Sequence, residues 1–165
     1  MMGTSLVLAL TLAFGGAETA PAPSRQPFPD IELADLGGQH HSLTTFRGAV
    51  TVLNFWATWC GPCKWELPQL QKLTNELGGR GLVVLALNVD DPPVRVKQFI
   101  DYAKVSLPVF LIDARTQGAL GIDRIPFTVL LDREGKIVRA YPGYSEEGMK
   151  DLREQAIALL GQGGK

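Results

Sequence analysis

Two cysteines and two histidines are the only thiolate or imidazole ligands in this chain of 165 residues. His40 and His41 are neighbours, so in an extended segment they point to opposite faces and cannot both join the cysteines around a zinc ion. No histidine follows position 41, which denies a copper carrier the further ligand it needs beside a cysteine pair. The plain reading of the two, polar residues beside a Gly37-Gly38 turn, suffices, and neither metal nor cofactor is expected. An excess of one charge is also missing: 16 basic and 17 acidic residues are spread along the chain, for a net charge of −1. That excludes the electrostatic footprint of a nucleic-acid binder and points to proteins as partners. No internal repeat is visible, and the length and 45% hydrophobic content suit one globular domain, expected as a monomer.

Long hydrophobic runs are also lacking. Ser5 to Phe14 is apolar but shorter than the roughly 20 residues a spanning helix needs, and Gly15-Gly16-Ala17 supplies small residues for a peptidase. Met1 to Thr4 holds no Lys or Arg, and Gly3 behind two methionines does not make a myristoylation site. The expectation for residues 1–27 is a signal peptide or retained N-terminal anchor followed by a Pro/Ala-rich linker, with the folded domain over 28–165. Such a protein works outside the cytoplasm, in the periplasm.

What the chain does have is its cysteines in one place. Cys60-Gly61-Pro62-Cys63 follows directly on the apolar run Val50 to Trp56, where a buried strand gives way to a helix. Gly61 and Pro62 permit a tight turn into that helix and leave Cys60 at its N-terminus, where unpaired backbone N–H groups and the helix dipole favour a thiolate. Cys63, one turn on, is placed to attack a mixed disulfide formed by Cys60. An inert staple is the competing reading, but so short a loop removes little entropy from the unfolded chain. A dithiol redox pair, with Cys60 as nucleophile and Cys63 as resolving thiol, is the expectation.

The remaining pattern frames that pair. Ile31 to Leu33 and His41 to Leu43 flank Asp35-Leu36-Gly37-Gly38 and predict a hairpin. Pro62 to Leu77 has Trp65, Leu67, Leu70, Leu73 and Leu77 at helical spacing and is expected to stop at Gly78-Gly79, with a kink at Pro68. Leu82 to Val89 is a second buried strand, followed by a helix from about Val94 to Lys104 and a short strand over Val109 to Ile112. Gln117 to Leu120 predicts a helical turn. Thr128 to Leu131 and Ile137 to Tyr141 predict an antiparallel pair, and Glu146 to Leu160 an amphipathic helix with Met149, Leu152, Ala156, Leu159 and Leu160 inward. The order implies a mixed sheet between helices.

Phe55-Trp56-Ala57-Thr58-Trp59-Cys60-Gly61-Pro62-Cys63-Lys64, with Pro68 five residues beyond Cys63, resembles the active-site strand and helix of the thioredoxin superfamily. The likeness runs from about Phe28 to the C-terminus. The leading hairpin, the Cys63-Lys64-Trp65-Glu66-Leu67-Pro68 phrase and a helix-and-strand insertion between Asp91 and Ile112 are similar to the TlpA/ResA branch. The resemblance implies an α/β thioredoxin-like fold: a central mixed β-sheet flanked by helices, with an N-terminal hairpin and a central helix-strand insertion. It also implies a proline with a cis peptide bond facing the dithiol, which Ile125-Pro126 matches, the Ile125 backbone being where an extended substrate segment pairs. Trp59, with Gly61 and Pro62, belongs to the implied substrate platform, whereas Trp56 reads as core packing.

Proton handling departs from one pattern and follows another. Thioredoxins carry a buried Asp six residues before the first cysteine; here Asn54 stands there and cannot accept a proton at neutral pH. The TlpA/ResA branch has a Glu three residues after the second cysteine, and Glu66 matches it, at helical spacing from Cys63 and so placed to take that thiol's proton. The competing reading is a solvated helix carboxylate. Lys64 stays outside the expected catalytic set. The resemblance implies a thiol-disulfide oxidoreductase that reduces protein disulfides, such as those of apocytochrome c, and is recharged by a membrane electron donor. A disulfide oxidase or isomerase and a redox-inert binding or chaperone module of the same fold are the alternatives; the lone peroxidatic cysteine of a peroxiredoxin is absent.

Overall fold

The computed structural model describes residues 25–89 and 91–162. The signal-peptide reading of the N-terminal segment falls outside these residues up to position 24. No helix among those described is long and apolar enough to cross a membrane. The elements follow in the order β1 (Glu32–Asp35), β2 (His40–Ser42), β3 (Val50–Trp56), α1 (Gly61–Leu77), β4 (Leu82–Val89), α2 (Pro93–Ala103), β5 (Val109–Ile112), α3 (Ala114–Ala119), β6 (Phe127–Leu131), β7 (Ile137–Pro142) and α4 (Glu146–Gly161).

The strands form one seven-stranded mixed sheet in the order β2-β1-β5-β4-β3-β6-β7. β3, β4 and β5 are mutually parallel, while β6 runs antiparallel to β3 and β7 antiparallel to β6. Every residue of β3 is buried, as its nearly continuous apolar sequence requires of a strand paired on both sides and covered on both faces. The N-terminal hairpin joins the sheet through Ala34 opposite Leu111 and Asp35 opposite Phe110, so it extends the insertion's own strand. This is the mixed α/β architecture the sequence implied.

Leu85 lies near the middle of β4, fully buried and opposite Leu53 of β3. Leu85→Ala is expected to lower unfolding stability by roughly 2–5 kcal/mol, the cost of lost transfer energy plus an unfilled cavity. Urea denaturation with an unchanged slope and a lower midpoint is the expected result.

Helix α1 differs from expectation in one respect. Trp65 is 65% exposed and its ring lies 6.5 Å from that of Tyr144, while Glu66 takes the inward position beside Leu67 and Leu70. Counting from Cys63, the buried stripe runs 63, 66, 67, 70, 73, 77, a regular three-and-four spacing from which residue 65 is rotated away. The helix stops where expected, at Leu77 with Gly78 as its C-cap. The chain continues as a 3-10 turn over Gly78–Arg80, and the left-handed residue is Gly81, at φ 101°, a conformation open to glycine because it lacks a Cβ. Pro68 sits inside α1, and the helix continues on both sides of it.

Candidate active site

The C-terminal end of β3 delivers the chain into a tight turn, closed by the Cys60 N–H donating to the Ala57 carbonyl at 3.2 Å. Cys60 is then the N-cap of α1, with extended backbone angles (φ −81°, ψ 110°) and Pro62 in the first turn. Its Sγ accepts the backbone N–H of Cys63 at 3.3 Å. In this oxidised form Cys60 and Cys63 are joined by a disulfide with Cα atoms 5.3 Å apart. The same N–H and the helix dipole act on whatever charge the Cys60 sulfur carries after reduction. The two sulfurs differ in access: Cys60 retains 5% exposure and Cys63 none.

Around this pair the sheet brings in a second segment. Phe127 of β6 lies opposite Phe55 of β3, so Ile125 and Pro126, just ahead of it, sit at the end of the sheet from which Cys60 emerges. The Ile125–Pro126 peptide bond is cis, and the Pro126 carbonyl accepts the Gly143 N–H at 2.8 Å. Ile125 is half-buried and Pro126 buried. Trp59 is 65% exposed beside Cys60, and Gly61 and Pro62 are also at the surface. Trp56 by contrast is fully buried, its ring centroid 5.1 Å from that of Phe99.

Behind the dithiol lies a closed polar triad. Glu66, 2% exposed, accepts the Thr128 hydroxyl on Oε1 at 2.9 Å and the Asn54 side-chain amide on Oε2 at 3.1 Å. Asn54 also donates to the Thr128 oxygen at 2.9 Å. Burial dominates the carboxyl group's titration: it raises the pKa from 4.5 to about 7, although the hydrogen bonds from Thr128 and Asn54 pull the other way. Glu66 also lines a small cavity with Tyr141, Ser145 and Met149. Thr128 escapes sequence reading because it is 62 residues from Glu66; the available signal was a hydroxyl inside an otherwise apolar strand, which needs a partner when buried.

The histidines lie elsewhere. His40 pairs with Glu32 at 3.2 Å and His41 with Asp35 at 3.1 Å. Both belong to β2, at the edge of the sheet, with β1, β5 and β4 between it and β3.

A dithiol at the mouth of a helix, at the parallel-strand end of a mixed sheet and opposite a cis-proline segment, is the site of a thioredoxin-like protein. Residues 24–160 match the AhpC/TSA family, and the chain belongs to it. It is similar to the thiol-disulfide oxidoreductase ResA of Geobacillus kaustophilus, 32% identical over 87% of either chain. It is likewise similar to ResA of Bacillus subtilis, 32% identical over 82% of this chain and 75% of that one. Among solved structures, a thiol:disulfide interchange protein from Bacteroides sp. superimposes with a TM-score of 0.73 at 25% identity, covering 86% of this chain and 93% of the other. StoA from Bacillus subtilis gives a TM-score of 0.63 at 26% identity, over 76% of this chain and 95% of that one. The protein is a thioredoxin-like thiol-disulfide oxidoreductase of ResA type.

Proposed function

We propose that this protein reduces disulfides of other polypeptides outside the cytoplasm, apocytochrome c among the candidate targets. In the reduced chain the Cys60 thiolate attacks one sulfur of a target disulfide; a new S–S bond forms, and the target's other sulfur leaves and takes up a proton. Cys63, having passed its proton to Glu66, attacks the Cys60 sulfur. The Cys60–Cys63 disulfide closes and the target's first sulfur departs as a thiol, so two electrons move from dithiol to target. Trp59, Gly61, Pro62, Ile125 and Pro126 form the platform on which the target segment lies.

The observation that carries this reading is the N-cap position of Cys60, with the Cys63 N–H aimed at its sulfur: it favours a thiolate on the more accessible cysteine and leaves the enclosed one to resolve. Residues 1–27 export or tether the domain over 28–165, which acts as a monomer, and a membrane thiol-disulfide electron donor returns it to the dithiol form.

Equilibration of the chain with glutathione redox buffers tests the direction. A Cys-Gly-Pro-Cys reductase is expected near the thioredoxin end of the scale, about −270 mV. A potential at or above that of the protein disulfide isomerases, about −180 mV, would reassign the protein as an oxidase or isomerase.

A further inference from the structure

A second buried carboxyl group, outside the Glu66 triad, holds the turn that presents Cys60. The Asp91 side chain is 1% exposed and lies in the connection from β4 to α2. Its Oδ2 accepts the Thr58 backbone N–H at 2.7 Å and the Asn88 side-chain amide at 3.0 Å. Its Oδ1 accepts the Thr58 hydroxyl at 2.9 Å, with the Arg95 guanidinium 4.0 Å away. Thr58 is the second residue of the Ala57-to-Cys60 turn, so its N–H has left the β3 ladder and needs another acceptor. Asn88 stands opposite Trp56 in the β3–β4 register. One side chain therefore ties together the end of β3, the end of β4 and the first turn of the insertion helix α2.

We infer that Asp91 is a positioning residue for the dithiol, acting through Thr58 to fix Cys60 at the N-cap of α1. This rests on the reading of Cys60 as nucleophile. An N-cap sulfur gains from the helix terminus only while it stays in line with the Cys63 N–H, and that alignment is set by the turn before it. Two hydrogen bonds to one threonine fix both its backbone and its side chain, which a single contact would not do. The sequence separation of 33 residues hides the link, since Asp91 falls in a proline-rich connection that reads as a plain loop.

The reduced full-length chain, its Asp91→Ala, Thr58→Val and Thr58→Ser variants, and iodoacetamide as probe supply the test. The rate of alkylation against pH gives the midpoint of the reactive thiol, and circular dichroism shows whether each variant is folded. Asp91→Ala is expected to raise the midpoint by about one pH unit and to slow alkylation at pH 7 by roughly fivefold to tenfold, as more of the thiol is protonated. Thr58→Val is expected to slow it by about threefold, and Thr58→Ser, which keeps both donors, to return the wild-type midpoint. Should Asp91→Ala not fold, the Thr58 pair decides alone. A wild-type midpoint in folded Asp91→Ala, or equal impairment in Thr58→Ser and Thr58→Val, would overturn the inference. Alkylation needs no partner and no direction of electron flow. A wild-type chain that leaves insulin disulfides intact would thus sink the proposed function without touching this comparison.

Discussion

Cys63→Ser is expected to accumulate target polypeptides as mixed disulfides on Cys60, while Cys60→Ser captures none and loses disulfide reduction by at least roughly a thousandfold, the scale on which deleting a covalent nucleophile acts. The asymmetry comes from the helix terminus. Cys60 is the N-cap, receives the Cys63 N–H and keeps a small accessible surface beside exposed Trp59. Cys63 is fully buried, on the inward stripe of α1 with Glu66 and Leu67, so a target's disulfide reaches only the first sulfur. With serine at position 63 nothing displaces the target from Cys60, and the intermediate persists. Incubation of each variant with oxidised insulin, followed by non-reducing electrophoresis and mass spectrometry, separates the outcomes. Adducts on Cys63 in the Cys60→Ser variant would reverse the two roles, and no adduct in either would leave an oxidoreductase mechanism without its covalent step.

Much of this site was legible because local sequence dictates it. The tetrapeptide Cys60 to Cys63, the apolar run of β3 and the three-residue step from Cys63 to Glu66 all lie within two adjoining elements, where periodicity and capping rules apply directly. The misreadings arise where tertiary contacts decide. Hydrophobicity alone counted Trp65 among the apolar positions at helical spacing, but a helix admits only one inward stripe, and Glu66 holds that stripe because Thr128 and Asn54 satisfy its oxygens. Neither Thr128 nor Asp91 carries a local pattern, since each meets its partner only after the sheet has formed. Both nonetheless left the same trace: Asn54, Asn88 and Thr128 are polar residues in largely apolar strands, and each is buried. Such residues mark where a sheet hides a hydrogen-bonded network, though not what completes it.

Glu66→Gln tests the network's chemistry and gives the second large effect. The glutamine fits the same space: its oxygen accepts from Asn54, and its amide donates to the Thr128 oxygen, which has a lone pair to spare. What it lacks is a site for the proton of Cys63. In the wild type the rate of the resolving step is expected to rise with pH through about 7, where Glu66 ionises and becomes able to act as base. In Glu66→Gln the rate at pH 7 is expected to fall by roughly a hundredfold and to recover only as the thiol ionises by itself, near or above pH 8.5. Superimposable profiles would remove Glu66 from the mechanism. Stability supplies an independent readout with a definite sign. A carboxyl group whose folded pKa is raised from 4.5 to about 7 binds its proton more tightly in the native state, so its contribution is fully present below pH 4.5 and is lost as pH rises through 7. That loss is of the order of 3 kcal/mol for a buried group. Urea midpoints between pH 4.5 and 8 are therefore expected to decline in the wild type and to stay flatter in Glu66→Gln. On the proposed mechanism, Glu66 is thus a base that the fold carries at a cost in its working form.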